Sequence, residues 1–247
     1  MAGILYAIPT PLGGTAADAL PVSALKTLRT LRYFVVENAK SARAFLKEAG
    51  MPCTIQELDI SVLESDVSKH ITTLQEDVSI GLLSEAGCPA IADPGAALVA
   101  AAQCAGIRVV PLVGPSSIVL ALMASGLEGQ RFAFCGYLPR EAEERKKKIR
   151  EIEARSRRQR ETQIFIETPY RNDALLGALL QACAPGSWLC VASDLTLPSE
   201  QINTRTIADW RVVHHTIGKR PSVFLLIYSG DRDRTEPNGQ ATTRHRI

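Results

Sequence analysis

The stretch that decides the fold is SEAGCPAIADPG, Ser84 to Gly95. A short apolar run at 78–83 precedes it, and a segment of small residues at 96–105 follows it. This pattern predicts a buried strand, a loop rich in glycine and proline, and then a helix. In α/β folds, ligands bind beside loops that follow the carboxyl ends of parallel strands. We therefore interpret this loop as one wall of a small-molecule site.

The loop also contains residues that suit such a site. Gly87 and Gly95 allow a ligand to approach the backbone closely, because they carry no side chain. Pro89 fixes its φ angle and stiffens the bend. Glu85 and Asp93 bring two carboxylates to the predicted edge of the sheet.

The first half of the chain alternates apolar runs with helical segments. The predicted strands are 3–8, 33–36, 54–58, 78–83 and 107–112. Right-handed crossovers between such strands build a parallel sheet with helices on both faces. Polar, glycine or proline residues follow several strands, at 9–14, 37–40 and 114–117. Because parallel strands end at the same edge of a sheet, we expect these segments to share one functional edge.

The second half has a different pattern. Its predicted strands are 132–137, 163–166, 187–193, 201–206 and 222–228. Several of them follow one another without a helix, which favours a mixed sheet. The turn Val113–Ser117 is the natural hinge between the halves. The sequence thus predicts an α/β protein with an N-terminal domain at 1–113, a C-terminal domain at 114–230 and a disordered tail at 231–247.

Composition excludes several classes of protein. The 247 residues are 46% hydrophobic and 22% charged, with a net charge of +2, which is typical of a soluble globular protein. No apolar run approaches the ~20 residues of a membrane span, and no signal peptide is recognisable. The six cysteines and four histidines lack the spacing of metal or disulfide sites. We expect a cytoplasmic protein with reduced cysteines and no metal.

The segment 140–160 is highly charged and allows two interpretations. A solvent-exposed helix with ion pairs between successive turns is the simpler one. However, basic residues outnumber acidic ones in its later part, starting at Lys146-Lys147-Lys148. A cationic arm of this kind could bind RNA phosphates.

A second polar turn follows the predicted strand at 163–166. It reads Glu167-Thr168-Pro169-Tyr170-Arg171. Glu167 and Arg171 either pair with each other or contribute to a site. The residue types leave both alternatives open.

Five motifs, in the same order along the chain, resemble the tetrapyrrole methylase superfamily. They are Pro9–Gly13, Ser84–Gly95, Gly114–Ser116, Phe134–Pro139 and Glu167–Arg171. Within that superfamily the chain is most similar to the branch that methylates a cytidine ribose 2′-hydroxyl of 16S ribosomal RNA. The resemblance implies a methyltransferase with two α/β domains, S-adenosylmethionine bound in the cleft between them, and a homodimer.

The resemblance also assigns roles to individual residues. The donor pocket would contain Pro11, Gly13, Glu85, Gly87, Ile91, Asp93, Ser116 and Ser117, with Tyr170 and Leu197 from the second domain. The candidates for the base that accepts the hydroxyl proton are Glu37 and Glu167. The residues expected to contact RNA are Lys40, Lys146, Lys147, Lys148 and Arg171.

One segment departs from the RNA-methylating branch. That branch typically has Glu-Asp-Thr-Arg where this chain has Glu37-Asn38-Ala39-Lys40. An acid is missing, and a lysine point charge replaces an arginine fork. Three hypotheses follow: a methyltransferase of ribosomal RNA, a methyltransferase of a small tetrapyrrole-type molecule, and a catalytically silent module that binds S-adenosylmethionine.

Overall fold

The computed structural model describes residues 2–228 and contains two five-stranded sheets flanked by helices. The strands are β1 Leu5–Ile8, β2 Tyr33–Val36, β3 Asp59–Val62, β4 Ile80–Leu83, β5 Val109–Pro111, β6 Phe132–Tyr137, β7 Thr162–Ile166, β8 Ser187–Ser193, β9 Gln201–Thr206 and β10 Ser222–Tyr228. The helices are α1 Ala16–Ala19, α2 Val22–Thr30, α3 Ala39–Glu48, α4 Ser68–Gln75, α5 Ala96–Cys104, α6 Ser117–Ser125, α7 Ala142–Gln159, α8 Asn172–Ala182 and α9 Ile207–Val212.

The first sheet has the strand order β3-β2-β4-β1-β5, and all its pairs are parallel. Both faces of this sheet are covered by apolar clusters. On one face Phe34 packs with Leu28 of α2 and Leu46 of α3. On the other face Leu82 packs with Leu98 of α5. Burial on both faces explains why these short strands are almost wholly apolar.

The second sheet has the order β6-β7-β10-β8-β9 and is mixed. Only β6 and β7 are parallel, whereas the other three pairs are antiparallel. Phe165 and Phe224 stack at the centre of its core, 5.9 Å between ring centroids. Helices α7, α8 and α9 pack into this core through residues such as Ile149, Leu176 and Trp210. The prediction of one parallel and one mixed α/β sheet is confirmed.

The chain divides into two compact units. Residues up to Ala121, together with Asp194–Glu200, form the first unit, and Leu122–Ser193 with the described residues from Gln201 onward form the second. The sequence-based domains 1–113 and 114–230 concern independent folding and stay a prediction. The predicted disordered tail at 231–247 lies outside the described residues. Across residues 2–228, every helix is too short or too polar to span a lipid bilayer.

The predicted strand at 54–58 is wrong. This segment forms a 3₁₀ turn, and the strand β3 begins only at Asp59. The Thr54 backbone N–H donates to the Glu57 carboxylate at 2.7 Å, and the Thr54 hydroxyl donates to the same oxygen at 2.8 Å. These two hydrogen bonds stabilise a turn in spite of the apolar residues around it.

Two short helices were missing from the sequence-based assignment. α1 begins after Thr15, whose hydroxyl oxygen accepts from the Asp18 N–H at 3.2 Å. α9 begins after Thr206, whose hydroxyl oxygen accepts from the Asp209 N–H at 3.0 Å. Helices of four and six residues are too short to produce a recognisable hydrophobic period. Threonine with aspartate three residues later was the available signal.

Candidate functional site

The loops after β1 and β4 lie side by side at the carboxyl edge of the first sheet. Thr10 and Gly87 exchange two backbone hydrogen bonds, with N···O distances of 2.9 and 3.0 Å. The Thr10 hydroxyl also donates to the Ser84 carbonyl at 3.3 Å. These contacts fix the two glycine- and proline-rich loops as one surface, because β1 and β4 are neighbouring parallel strands.

The loop after β4 has an unusual backbone. Gly87 and Gly95 have φ angles of 81° and 124°, which glycine adopts without strain. Ala90 and Ala92 have φ angles of 66° and 64°, in the left-handed region that costs an L-residue roughly 1–2 kcal/mol. Backbone strain of this kind persists where the surrounding structure enforces it and is concentrated at ligand sites.

Three carboxylates face one another at this edge. The Glu85 backbone N–H donates to the Glu37 carboxylate at 3.1 Å, which joins the ends of β2 and β4. Burial raises the pKa of Asp93 to about 6, and the negative charges of Glu37 and Glu85 add to this effect. The edge is therefore a region in which a positive charge would be stabilised.

The loop after β5 completes this surface. The Cys88 thiol donates to the Pro115 carbonyl at 3.3 Å. A Cβ atom on Gly114 would lie 2.5 Å from Cβ of Pro9, so only glycine fits there. The Ser116 hydroxyl oxygen accepts from the Val119 N–H at 3.5 Å, and Ser117 is the first residue of α6.

The segment Asp194–Glu200 covers the first loop. Leu197 packs over Gly13, where an added Cβ would lie 2.4 Å from the leucine Cδ2. The sequence places Leu197 in the second domain, whereas in the structure it belongs to the first unit. The reason is that the chain leaves β8 at Ser193, packs this segment on the first unit and returns at β9.

Two further residues predicted to bind the donor belong to the first unit. Ile91 is 52% exposed, and Pro11 is partly buried.

The departure at residues 38–40 has a structural explanation. The Asn38 side chain accepts from the backbone N–H groups of Lys40 and Ser41, at 2.9 and 3.4 Å, and so caps α3. Asparagine and aspartate cap helices about equally well, so the helix start does not require the acid. Lys40 is exposed, and the Ser41 hydroxyl donates to Glu85 at 3.3 Å.

In the second unit, Glu167 and Arg171 form an ion pair. This confirms the pairing alternative, and it leaves the catalytic role of Glu167 as a prediction. The Thr168 N–H donates to the same Glu167 oxygen at 2.7 Å, whereas Oε2 of Glu167 is buried without a hydrogen-bond partner among residues 2–228. Tyr170 is 80% exposed, with the Lys219 ammonium 5.0 Å from its ring centroid.

The charged segment forms the single long helix α7. It contains eight basic and four acidic residues. Lys147 and Lys148 are exposed, and Lys148 pairs with Glu151 at 3.6 Å. Lys146 lines a groove between α7 and α8, together with Arg145. Nε of Arg145 is buried and has no hydrogen-bond partner within the described chain.

Eleven of the predicted site residues belong to the first unit. They are Pro11, Gly13, Glu37, Lys40, Glu85, Gly87, Ile91, Asp93, Ser116, Ser117 and Leu197. Tyr170, Glu167, Arg171 and the three lysines of α7 belong to the second unit. Thr10 and Ser84 hold the first edge together and were missed. Their signal was a hydroxyl residue within two positions of the end of an apolar strand, inside the quoted motifs.

The sequence model of the Tetrapyrrole (Corrin/Porphyrin) Methylases matches residues 5–210. The chain belongs to this family. The match covers β1 to β9 and the first residues of α9, and the resemblance to this family is confirmed.

The chain is similar in sequence to several ribosomal RNA methyltransferases. The chain is 31% identical over 237 residues to the ribosomal RNA small subunit methyltransferase I of Escherichia coli O157:H7, covering 95% of this chain and 80% of the relative. It is 33% identical over 214 residues to the protein of the same name from Bacillus subtilis (strain 168), covering 84% of this chain and 68% of the relative.

Two solved structures show the same fold. The methyltransferase CobJ matches with a TM-score of 0.61 and 17% identity, over 93% of this chain and 95% of that chain. The uroporphyrin-III-C-methyltransferase of Thermus thermophilus matches with a TM-score of 0.53 and 18% identity, over 92% and 93% of the two chains. At these identities the likeness concerns the fold alone.

Proposed function

We propose that the protein is an S-adenosylmethionine-dependent methyltransferase that acts in ribosomal RNA processing, on a ribose 2′-hydroxyl of small-subunit RNA. The observation that carries this proposal is the 31% identity, over 95% of the chain, to a relative named as a ribosomal RNA small subunit methyltransferase. A match of this length includes α7 and most of the second sheet. It also includes the carboxyl edge of the first sheet, with Glu37, Glu85 and Asp93, which we call the first-unit edge. Cytoplasmic location and a homodimer are further parts of the proposal.

The first-unit edge fits the methyl donor chemically. The donor is a sulfonium cation, and it supplies an activated methyl group for transfer to a nucleophile. Glu37, Glu85 and Asp93 repel one another at this edge, and a cation would relieve that repulsion. Gly87 and Gly13 leave the backbone accessible beside the carboxylates. We assign the donor to this edge; the donor-binding role of Tyr170 stays a prediction from the resemblance.

The chain's own residues would then position the acceptor and remove its proton. Transfer to a hydroxyl depends on in-line placement of the oxygen and on a base near it. Glu37 is the stronger candidate for that base, because the residue is partly exposed and its carboxylate accepts, from residues 2–228, a single hydrogen bond, donated by the Glu85 N–H. Glu167 is paired with Arg171, and its side chain is 1% exposed, so an acceptor hydroxyl has less access to this carboxylate than to Glu37.

The acceptor surface in this proposal is the basic face of α7. Its excess of positive charge suits the phosphates of RNA and has no evident use on a compact ring substrate. Charge reversal in K146E/K147E/K148E should weaken binding of small ribosomal subunits by tenfold or more. Donor affinity, measured by calorimetry on the same variant, is the internal control and should not change. Equal losses of both would contradict this division of roles.

The deciding experiment follows tritiated methyl groups from S-adenosylmethionine. Small ribosomal subunits from a strain that lacks the gene are the acceptor, and RNase digestion locates the label. We expect label in the RNA, at a nucleotide that resists alkaline cleavage because its 2′-oxygen is methylated. Label only in small-molecule extracts would favour the tetrapyrrole-type alternative. Calorimetric donor binding without any label would favour the silent module.

A further inference from the structure

Helix α3 has a row of basic residues. The function proposed above gives this row no role, because it places the RNA on α7. Lys40, Arg43 and Lys47 recur at intervals of three and four, which places them on one side of the helix. All three are exposed. We call these three residues the basic stripe. Glu48 is the acidic residue of α3, and its carboxylate is already engaged by the Ala16 N–H at 2.9 Å.

The basic stripe has no role in holding the first unit together. Within residues 2–228, its three side chains form no ion pair or hydrogen bond. Lys40 also lies in the first turn of α3, where the helix dipole disfavours a cation. The helix is instead fixed by the Asn38 cap and by Leu46, which is fully buried. Three unpaired cations are therefore available to a ligand.

The position of the stripe connects it with the donor edge. α3 begins two residues after Glu37, and the Ser41 hydroxyl donates to the Glu85 carboxylate at 3.3 Å. From there the stripe runs along α3 for about 10 Å, at 1.5 Å per residue. A polymer bound along the stripe would thus lead to the edge where we place the methyl donor.

The stripe ends beside a groove that combines charge with apolar surface. Arg43 and Lys47 line a groove of about 470 Å³ together with Met51 and Ile55. A second groove of about 540 Å³ shares Arg43 and also contains the carboxylate of Asp59. A guanidinium can bind a phosphate through two parallel hydrogen bonds, and the apolar side chains can cover the face of a base. A nucleotide of a single strand has both parts.

We propose that the basic stripe and its groove form a second RNA-binding site, in the first unit. It binds the backbone of a single-stranded segment next to the methylated nucleotide, with phosphates at Arg43 and Lys47. This inference rests on the proposed function and adds a specific contact surface to it. An acidic protein surface would also be attracted to the stripe, but it would not use the apolar side of the groove.

The test compares two variants with equal changes in charge. R43A/K47A removes two cations of the stripe, and K26A/K69A removes two exposed lysines from α2 and α4 of the same unit. Binding of a single-stranded RNA 12-mer and of small ribosomal subunits is measured over a range of salt concentrations. Each lost phosphate contact on a single strand reduces the slope of log K against log salt by about 0.7. We expect a reduction of about 1.4 for R43A/K47A and none for K26A/K69A.

Methyl transfer provides a second readout. R43A/K47A should raise the KM for ribosomal subunits at least tenfold, while its calorimetric affinity for S-adenosylmethionine equals that of the wild type. R43K/K47R keeps both charges and should restore the salt slope.

Three outcomes would overturn the inference. If the wild type methylates RNA, and both alanine variants have the same slope of log K against log salt, the second site is rejected and the proposed function stands. Weaker binding of R43A/K47A to a polyglutamate peptide, but not to RNA, would assign the stripe to a protein. Wild type that binds S-adenosylmethionine but neither binds nor labels RNA would reject the proposed function itself, and this inference with it.

Discussion

The two sheets differ in where their strands end and in whether the charged residues at those ends are paired. In the first sheet every strand is parallel, so five strands end at one edge and their loops meet there. That edge contains repelling carboxylates and two alanines with positive φ. In the second sheet antiparallel pairs send strand ends to both edges, and the buried carboxylate Glu167 already has its cation, Arg171. Carboxylates that repel one another beside a strained backbone thus indicate the ligand site, whereas a carboxylate that already has a cationic partner indicates a structural role.

The largest effect should come from breaking the ion pair of Glu167 and Arg171 in the second unit. In R171A the Glu167 carboxylate, whose side chain is 1% exposed, would remain buried without its partner. Loss of one member of a buried pair costs about 3–5 kcal/mol, and we expect the lower end because Arg171 is 26% exposed. Urea unfolding measures this loss. E167Q/R171A should recover part of it, and an R171A protein as stable as the wild type would contradict a structural role for the pair.

The next effect concerns backbone geometry at the first-unit edge. Gly87→Ala places a side chain at a φ of 81°, which costs roughly 1–2 kcal/mol, and its Cβ would lie 3.2 Å from Leu12. Gly106→Ala is the matched control, because Gly106 has a φ of 69° and open space around it. Both variants should lose similar stability in urea. Only Gly87→Ala should weaken binding of S-adenosylmethionine; equal donor affinities would remove Gly87 from the site.

Most of the fold follows from sequence patterns. Strands β2, β6, β8, β9 and β10 occur at the predicted residues. Each is a short segment of strand-forming residues that is bounded by turn residues. The errors occur where side-chain capping outweighs the apolar pattern. Thr54 and Glu57 fix a turn in place of a strand, and Thr206 begins the short helix α9. Such local hydrogen bonds are decided by geometry that a hydrophobicity pattern does not contain.

The site was predictable in part, for a related reason. Parallel strands must end together, so the sequence places Glu37, Glu85 and Asp93 at one edge without knowledge of any contact. The assignment of Leu197 to the first unit was not predictable, since it depends on a short excursion of the chain between two strands of the other sheet. Of the basic stripe of α3, Lys40 was predicted from the sequence, but Arg43 and Lys47 were missed. The period of three and four was present in the sequence, but the stripe's lack of partners is visible only in the structure.

A smaller effect should appear when the charge of Asp93, which burial and the neighbouring carboxylates disfavour, is removed. The pKa of Asp93 is raised from 3.8 to about 6, so between these values the native state holds a proton that the unfolded chain has lost. This carboxyl therefore opposes folding increasingly as the pH rises from about 4 to 6, and fully above 6. Asp93→Asn should stabilise the protein at pH 8 by about 1 kcal/mol, allowing for solvent screening, or about 2–4 °C in melting temperature.

The same variant should differ little from the wild type near pH 4, where both side chains are neutral. Its affinity for S-adenosylmethionine should fall at pH 8, because a negative charge near the sulfonium is lost. Melting curves at the two pH values and calorimetry at pH 8 check both parts. A stabilisation that is the same at pH 4 and pH 8 would show that the gain has a cause other than charge.

The smallest effect should show whether a strained backbone residue contributes to binding of S-adenosylmethionine or only to the fold. Ala90→Gly removes the cost of a φ of 66° but increases the freedom of the unfolded chain, so the net stabilisation should stay below about 1 kcal/mol. Arg160→Gly is the comparison, because Arg160 has a φ of 51° at the end of α7, in the other unit. Both variants should gain slightly in melting temperature. Only Ala90→Gly should bind S-adenosylmethionine more weakly, since a looser loop must be ordered by the ligand. If the two variants keep the same donor affinity, the strained backbone at Ala90 belongs to the fold and not to the site.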